Sequence, residues 1–152
     1  MHMHHIPSSL CVCTTMRRTT RALTRAYDEA MAPHGLTIQQ FAILRHTRDY
    51  TRAQNTPIPL SRLAQRLVMD RTSLYRALPA LEREGLIALA SPSPRNRTAA
   101  TTAKGDQLIA RAEPDWAALQ SRILSAMEPG EWHAMQASAD RLATTLTQDS
   151  PA

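Results

Sequence analysis

Leu60-Ser-Arg-Leu-Ala-Gln-Arg-Leu-Val-Met-Asp70-Arg-Thr-Ser-Leu-Tyr-Arg-Ala-Leu-Pro-Ala80-Leu-Glu-Arg-Glu-Gly85-Leu-Ile87 carries the densest signal in a chain of 152 residues. Leu60, Leu63, Ala64 and Leu67 recur at steps of three and four, which lays them along one face of a short amphipathic helix. Val68 and Met69 leave room only for a tight connection, and Asp70 is a good N-cap for a second helix. Leu74, Leu78 and Leu81 form the apolar stripe of that helix, and Gly85 is its stop. Two short helices joined by a few residues make a helix-turn-helix. At about 100° per residue, Thr72, Arg76, Pro79 and Arg83 fall opposite the stripe, with Ser73 and Tyr75 flanking it. Hydroxyl and guanidinium groups near a helix start are what a reader of the DNA major groove needs, because arginine matches guanine edges and hydroxyls reach bases or phosphates. Ser61 and Arg71 complete the DNA-facing set expected on these two helices. Pro79 removes one helix hydrogen bond, and the sequence offers no reason for it beyond a kink between the reading half and the packing half.

Downstream, Leu86-Ile-Ala-Leu reads as a strand, Ser91-Pro-Ser-Pro-Arg-Asn as a turn and Arg97-Thr-Ala-Ala-Thr as a return strand, together a β-hairpin wing. Arg95 and Arg97 lie at the tip, where an arginine can enter the strongly negative minor groove. Residues 60–97 hold seven arginines against three acids, which is most of the formal net charge of +5. Lys104 is the only lysine among 18 basic residues. A basic balance carried by planar guanidinium forks points to an anionic partner, here double-stranded DNA.

The flanks read as helices. Cys13, Met16, Thr20, Leu23, Tyr27 and Met31 share one face of a first helix, a seam expected to be buried, which Pro33 and Gly35 end. Thr37 caps a second helix carrying Phe41 and Leu44, and the polar stretch from Thr51 to Pro59 reads as a loop. After Thr102 a long helix places Leu108, Ala112, Trp116, Leu119, Ile123 and Met127 together, with Pro114 bending it or marking a later start. Pro129 fits the first turn of a last helix, on which Trp132, Met135, Ala139, Leu142 and Leu146 recur at heptad-like spacing. The expected fold is mainly α with a small β-hairpin wing. The length excludes a barrel enzyme of ordinary size. No apolar run approaches the roughly 20 residues that span a bilayer, and no signal-peptide pattern is present, so no membrane partner and a cytoplasmic location are expected. With four glycines, no phosphate-cradling loop and no nucleophile–base pair, neither an enzyme nor a cofactor is expected.

The segments Gly35-Leu-Thr-Ile-Gln-Gln-Phe-Ala-Ile-Leu, Leu63-Ala-Gln-Arg-Leu, Asp70-Arg-Thr-Ser-Leu-Tyr-Arg, Leu81-Glu-Arg-Glu-Gly-Leu-Ile and Thr102-Ala-Lys-Gly resemble, in order and spacing, the MarR family of winged helix-turn-helix transcription regulators over about residues 10–147. The resemblance implies a homodimer built from the terminal helices. It implies binding to pseudo-palindromic operator DNA, most often as a repressor released by a small molecule or by oxidation. It places Thr72, Ser73 and Arg76 in the major groove and makes Arg95 the wing arginine. Residues 36–103 are then the DNA-binding lobe, 10–33 and 104–148 the dimerisation region, and 1–9 a disordered tail. The wing departs from the family pattern. Where the family has an aspartate before its wing arginines, Ser93 and Pro94 precede Arg95, and Arg97 becomes a second candidate for the minor groove.

Cys11 and Cys13 admit three readings: a redox switch, a metal pair with His2, His4 and His5, or structural thiols. The hydroperoxide-sensing branch of the family has a reactive cysteine in a similar place with a tyrosine fourteen residues on, a spacing that Cys13 and Tyr27 share; Arg17 stands where its other tyrosine would be. Arg17 or Arg18 could favour the thiolate. A family-like effector pocket would be lined by Tyr27, Phe41 and Trp116, with Trp132 a further candidate. The competing function is a thiol-based redox or metal-binding protein using Cys11 and Cys13.

Overall fold

The structure is a computed structural model that describes residues 11–93 and 95–148. The proposed tail at 1–9 and Pro94 of the wing lie outside the described residues. Among the described residues there are six α-helices, α1 (Val12–Met31), α2 (Ile38–Gln54), α3 (Leu60–Leu67), α4 (Arg71–Arg83), α5 (Ala103–Ser125) and α6 (Glu131–Gln148), and three strands, β1 (Ile58–Pro59) before α3 and β2 (Ile87–Ser93) and β3 (Asn96–Thr101) between α4 and α5. The chain divides into two compact units, with the boundary inside α5 after Trp116.

In the first unit the local chemistry sets each boundary. Thr37 and Gln40 form a reciprocal capping box, and Asp28 accepts the Ile38 amide at 2.7 Å, tying α1 to the start of α2. Asp70 accepts the Ser73 amide at 2.8 Å at the start of α4. Gly85 takes the left-handed conformation, φ 70°, that closes α4, with the Leu86 amide bonded back to Leu81 O at 2.9 Å. The sheet is antiparallel in the order β1-β3-β2; Leu89 pairs with Ala99, Ile58 pairs with Ala99 from the other side, and the ladder is irregular between Ala90 and Ser93.

The core gathers Phe41, Ile43 and Leu44 of α2, Ile58, Leu63, the α4 stripe Leu74–Leu78–Leu81, Leu86, Ile87 and Ile109. Thr102 joins α4, β2 and α5: its hydroxyl donates to Gly85 O at 2.6 Å and accepts the Gly105 amide at 3.0 Å. Lys104 Nζ donates to Glu84 O at 2.6 Å, a cation on the carbonyl end of α4. The Thr102-Ala-Lys-Gly segment therefore docks the end of α4 onto the start of α5. A second link ties α2 to α5. Arg48, only 7% exposed, pairs with Glu113 at 3.3 Å; Arg45 also pairs with Glu113 and lies 4.1 Å over the Trp116 ring. His34 Nε2 sits 2.6 Å from Asp115.

Several expectations are corrected. The loop expected from Thr51 begins only after Gln54: α2 runs on through polar surface residues and ends at Asn55 in the left-handed conformation. The short strand β1 follows within the same expected loop. The wing turn is tighter than Ser91–Asn96, since Ser91–Ser93 and Asn96 belong to the strands. Pro114 lies inside α5 and does not mark a later start. Pro129 sits in the turn before α6, whose first residue is Glu131. The seam of α1 is buried only at Met31; Cys13, placed on that seam, is exposed. The reason is that α1 packs on its own unit through its C-terminal end, from Ala26 onward. In the second unit, α6 exposes Trp132, Met135, Leu142 and Leu146. No helix among the described residues is long and apolar enough to cross a membrane.

Candidate DNA-binding surface

Burying Leu74, Leu78 and Leu81 turns the opposite side of α4 outward, and Arg71, Thr72, Tyr75, Arg76, Pro79 and Arg83 are all exposed there. Ser73 is half-buried. Its hydroxyl donates to Asp70 Oδ2 at 2.6 Å, so it reinforces the cap and keeps only its lone pairs for another partner. Those two bonds from Ser73 hold the Asp70 carboxyl below its ordinary range, keeping an anion at the positive end of α4.

The β3 strand brings the wing against the start of α4. Ser61, Arg71, Tyr75, Arg95, Asn96 and Arg97 line one cleft of about 160 Å3 between α3, α4 and β3. Arg97 lies over the Tyr75 ring, its Cζ 5.0 Å from the ring centre. Arg95 is exposed in the turn at the wing tip. Of the residues singled out in the sequence, Ser61, Arg71, Tyr75, Arg95 and Arg97 thus share one site, and Thr72 and Arg76 lie on the adjoining face of α4. Asn96 belongs with them and was not anticipated. Its position between two wing arginines is the only signal that could have found it.

The remaining candidates lie elsewhere. Cys11 precedes α1 and is exposed, and the hydroxyl and amide of Thr14 push its thiol below the ordinary range. Phe41 is buried with its ring centre 6.3 Å from that of the half-buried Trp116; Tyr27 is half-buried, and burial pushes its hydroxyl up. Burial pushes His46 down, aided by Arg66 and Arg45 and opposed by Asp49. Among the described residues no cluster of three His, Cys, Asp or Glu side chains could hold a metal, and His2, His4 and His5 lie outside them.

A helix-turn-helix with a cationic outer face and an arginine-bearing wing beside it defines a winged-helix DNA-binding protein. No family model matches the chain, and no curated protein does. Solved structures do. MosR, a transcriptional regulator of M. tuberculosis crystallised with DNA, is 30% identical, with a TM-score of 0.78 over 91% of this chain and 97% of that one. A MarR family regulator from Streptomyces coelicolor is 25% identical, with a TM-score of 0.75 over 96% and 100%. The repressor CouR, bound to a DNA duplex, is 25% identical, with a TM-score of 0.69 over 91% and 94%. The chain belongs to the MarR family of transcriptional regulators; it is a DNA-binding regulator and not an enzyme.

Proposed function

We propose that the protein is a homodimeric repressor of the cytoplasm that binds a pseudo-palindromic operator and lets go when a thiol is oxidised or a small ligand binds. Residues 36–103 of each copy would form the reading lobe and 10–33 with 104–148 the dimerisation region. Thr72 and Arg76 read bases in the major groove, Ser61 and Arg71 hold phosphates, and Arg95 reaches the minor groove. The observation that carries this reading is the meeting of the exposed face of α4 with the wing arginines in one cationic site. Two-fold symmetry sets the half-sites about one DNA turn, roughly 10 bp, apart. Support for the dimer comes from apolar side chains left exposed on α1 (Val12, Met16) and on α6 (Met135, Leu142, Leu146).

For release, the favoured trigger is Cys11, exposed and shifted toward the thiolate. Its thiolate attacks an organic hydroperoxide, taking one oxygen as the sulfenic acid and expelling the alcohol. The test is fluorescence anisotropy on the protein's own upstream intergenic duplex, reduced against hydroperoxide-treated. Tight binding that collapses on oxidation, and persists in Cys11→Ser, supports the switch. Tight binding that ignores oxidation assigns release to a ligand. Equal binding to operator and random duplex at near-physiological salt overturns sequence-specific regulation.

A further inference from the structure

We infer that the cleft between α3, α4 and β3 seats one DNA backbone phosphate, and that Tyr75 is the positioning residue that holds Arg97 ready for it. The inference deepens the DNA-binding reading of this surface and rests on it. At about 160 Å3 the cleft is smaller than the roughly 300–1,000 Å3 of small-molecule sites, but it has room for a phosphate group and bridging water. Arg71, Arg95 and Arg97 line it with Ser61 and Asn96, and no carboxylate is among the lining residues. Ser61 lies in the first turn of α3, where backbone amides lack helical partners and the dipole favours an anion.

Three guanidinium groups around one small space repel each other, so something must hold them there before DNA arrives. The wing has no acid for this, since Ser93 and Pro94 precede Arg95. The Tyr75 ring lies under Arg97 instead. A carboxylate would orient the arginine but cancel its charge. An aromatic face orients it and leaves the full positive charge for the phosphate. Because Arg97 is held against α4, it is the inner, phosphate-facing arginine, and the tip residue Arg95 is the one free to enter the minor groove. Tyr75 and Arg97 thus fix the angle between wing and reading helix.

The test compares full-length variants on the upstream duplex and on random duplex across a salt series. Arg97→Ala should weaken both by the same factor and lower the slope of log affinity against log salt by about one. Tyr75→Leu should weaken both about two- to fivefold, Tyr75→Phe, which keeps the aromatic face, should weaken both less than Tyr75→Leu does, and Tyr75→Leu should add nothing in the Arg97→Ala background. Arg97→Lys keeps the charge but not the planar stack, and should fall between wild type and Arg97→Ala. A loss confined to the operator, an unchanged salt slope, or additive effects of the Tyr75 and Arg97 changes would overturn the inference. Failure of wild type to prefer the operator would instead strike the regulator reading, while the salt slopes on random duplex still test the phosphate seat.

Discussion

At the scale of the residue, Val68 departs furthest from what its side chain prefers. It ends α3 in the left-handed conformation, φ 51°, and is 94% exposed. A left-handed backbone strains an L residue by about 1–2 kcal/mol, and so exposed a side chain recovers little of that by packing. Glycine removes the strain, while its freer unfolded chain takes back about 0.5–1 kcal/mol. Val68→Gly is therefore expected to stabilise the protein by about 0.5–1 kcal/mol, seen as a higher melting temperature; a lower one would show that the turn is not strained. The sequence marks Val68 and Met69 as a connection but not its handedness, because valine ordinarily signals extended chain. Asp70, Thr37 and Gly85 were legible for the opposite reason: each is the residue type its cap requires. The Tyr75–Arg97 contact was not legible, since it joins a helix to a strand across the wing and follows no period.

At the scale of the element, α3 and α4 were readable because burial on one side imposes a period, whereas the wing was readable from its Pro-containing turn between two short runs. Where no such burial acts, the period fails. The last turn of α2 is largely polar and by sequence reads as loop, and β1 is too short to show alternation. The Thr102-Ala-Lys-Gly junction was visible as a motif, but its work was not: Gly105 packs directly on the backbone of Leu86, and an added Cβ would overlap the Leu86 carbonyl oxygen. That oxygen belongs to backbone and accepts the Thr102 amide, so it cannot swing aside as a flexible side chain would. Gly105→Ala is expected to destabilise by about 1–3 kcal/mol by forcing α5 away from the end of α4. Chemical denaturation would read this as a lower midpoint. Operator affinity should fall with it, because the same junction sets the position of the reading helix; a stable variant with normal affinity would show that the junction is loose.

At the scale of the whole molecule, the apolar spacing of the last helix was plain in the sequence, but what covers it was not, because one chain holds no partner. Met135 and Leu142 are seven residues apart on α6 and both are exposed, as are Trp132 and Leu146. Apolar surface loses about 25 cal/mol for each Å2 left in water, and heptad-like spacing is the pattern that pairs helices. The proposed second copy would satisfy both facts, and two-fold symmetry would then give the reading helices their spacing on DNA. Met135→Glu with Leu142→Glu would place two charges in that seam. Light scattering should then give the mass of one chain, with the helical circular dichroism of the first unit largely kept. Affinity for the operator should drop more than tenfold, since two half-sites no longer act together, whereas binding to random duplex, held by phosphate contacts of each lobe, should fall much less. A variant that keeps the dimer mass would move the interface off this face of α6. One that becomes monomeric but still binds the operator at full strength would show that a single reading lobe suffices.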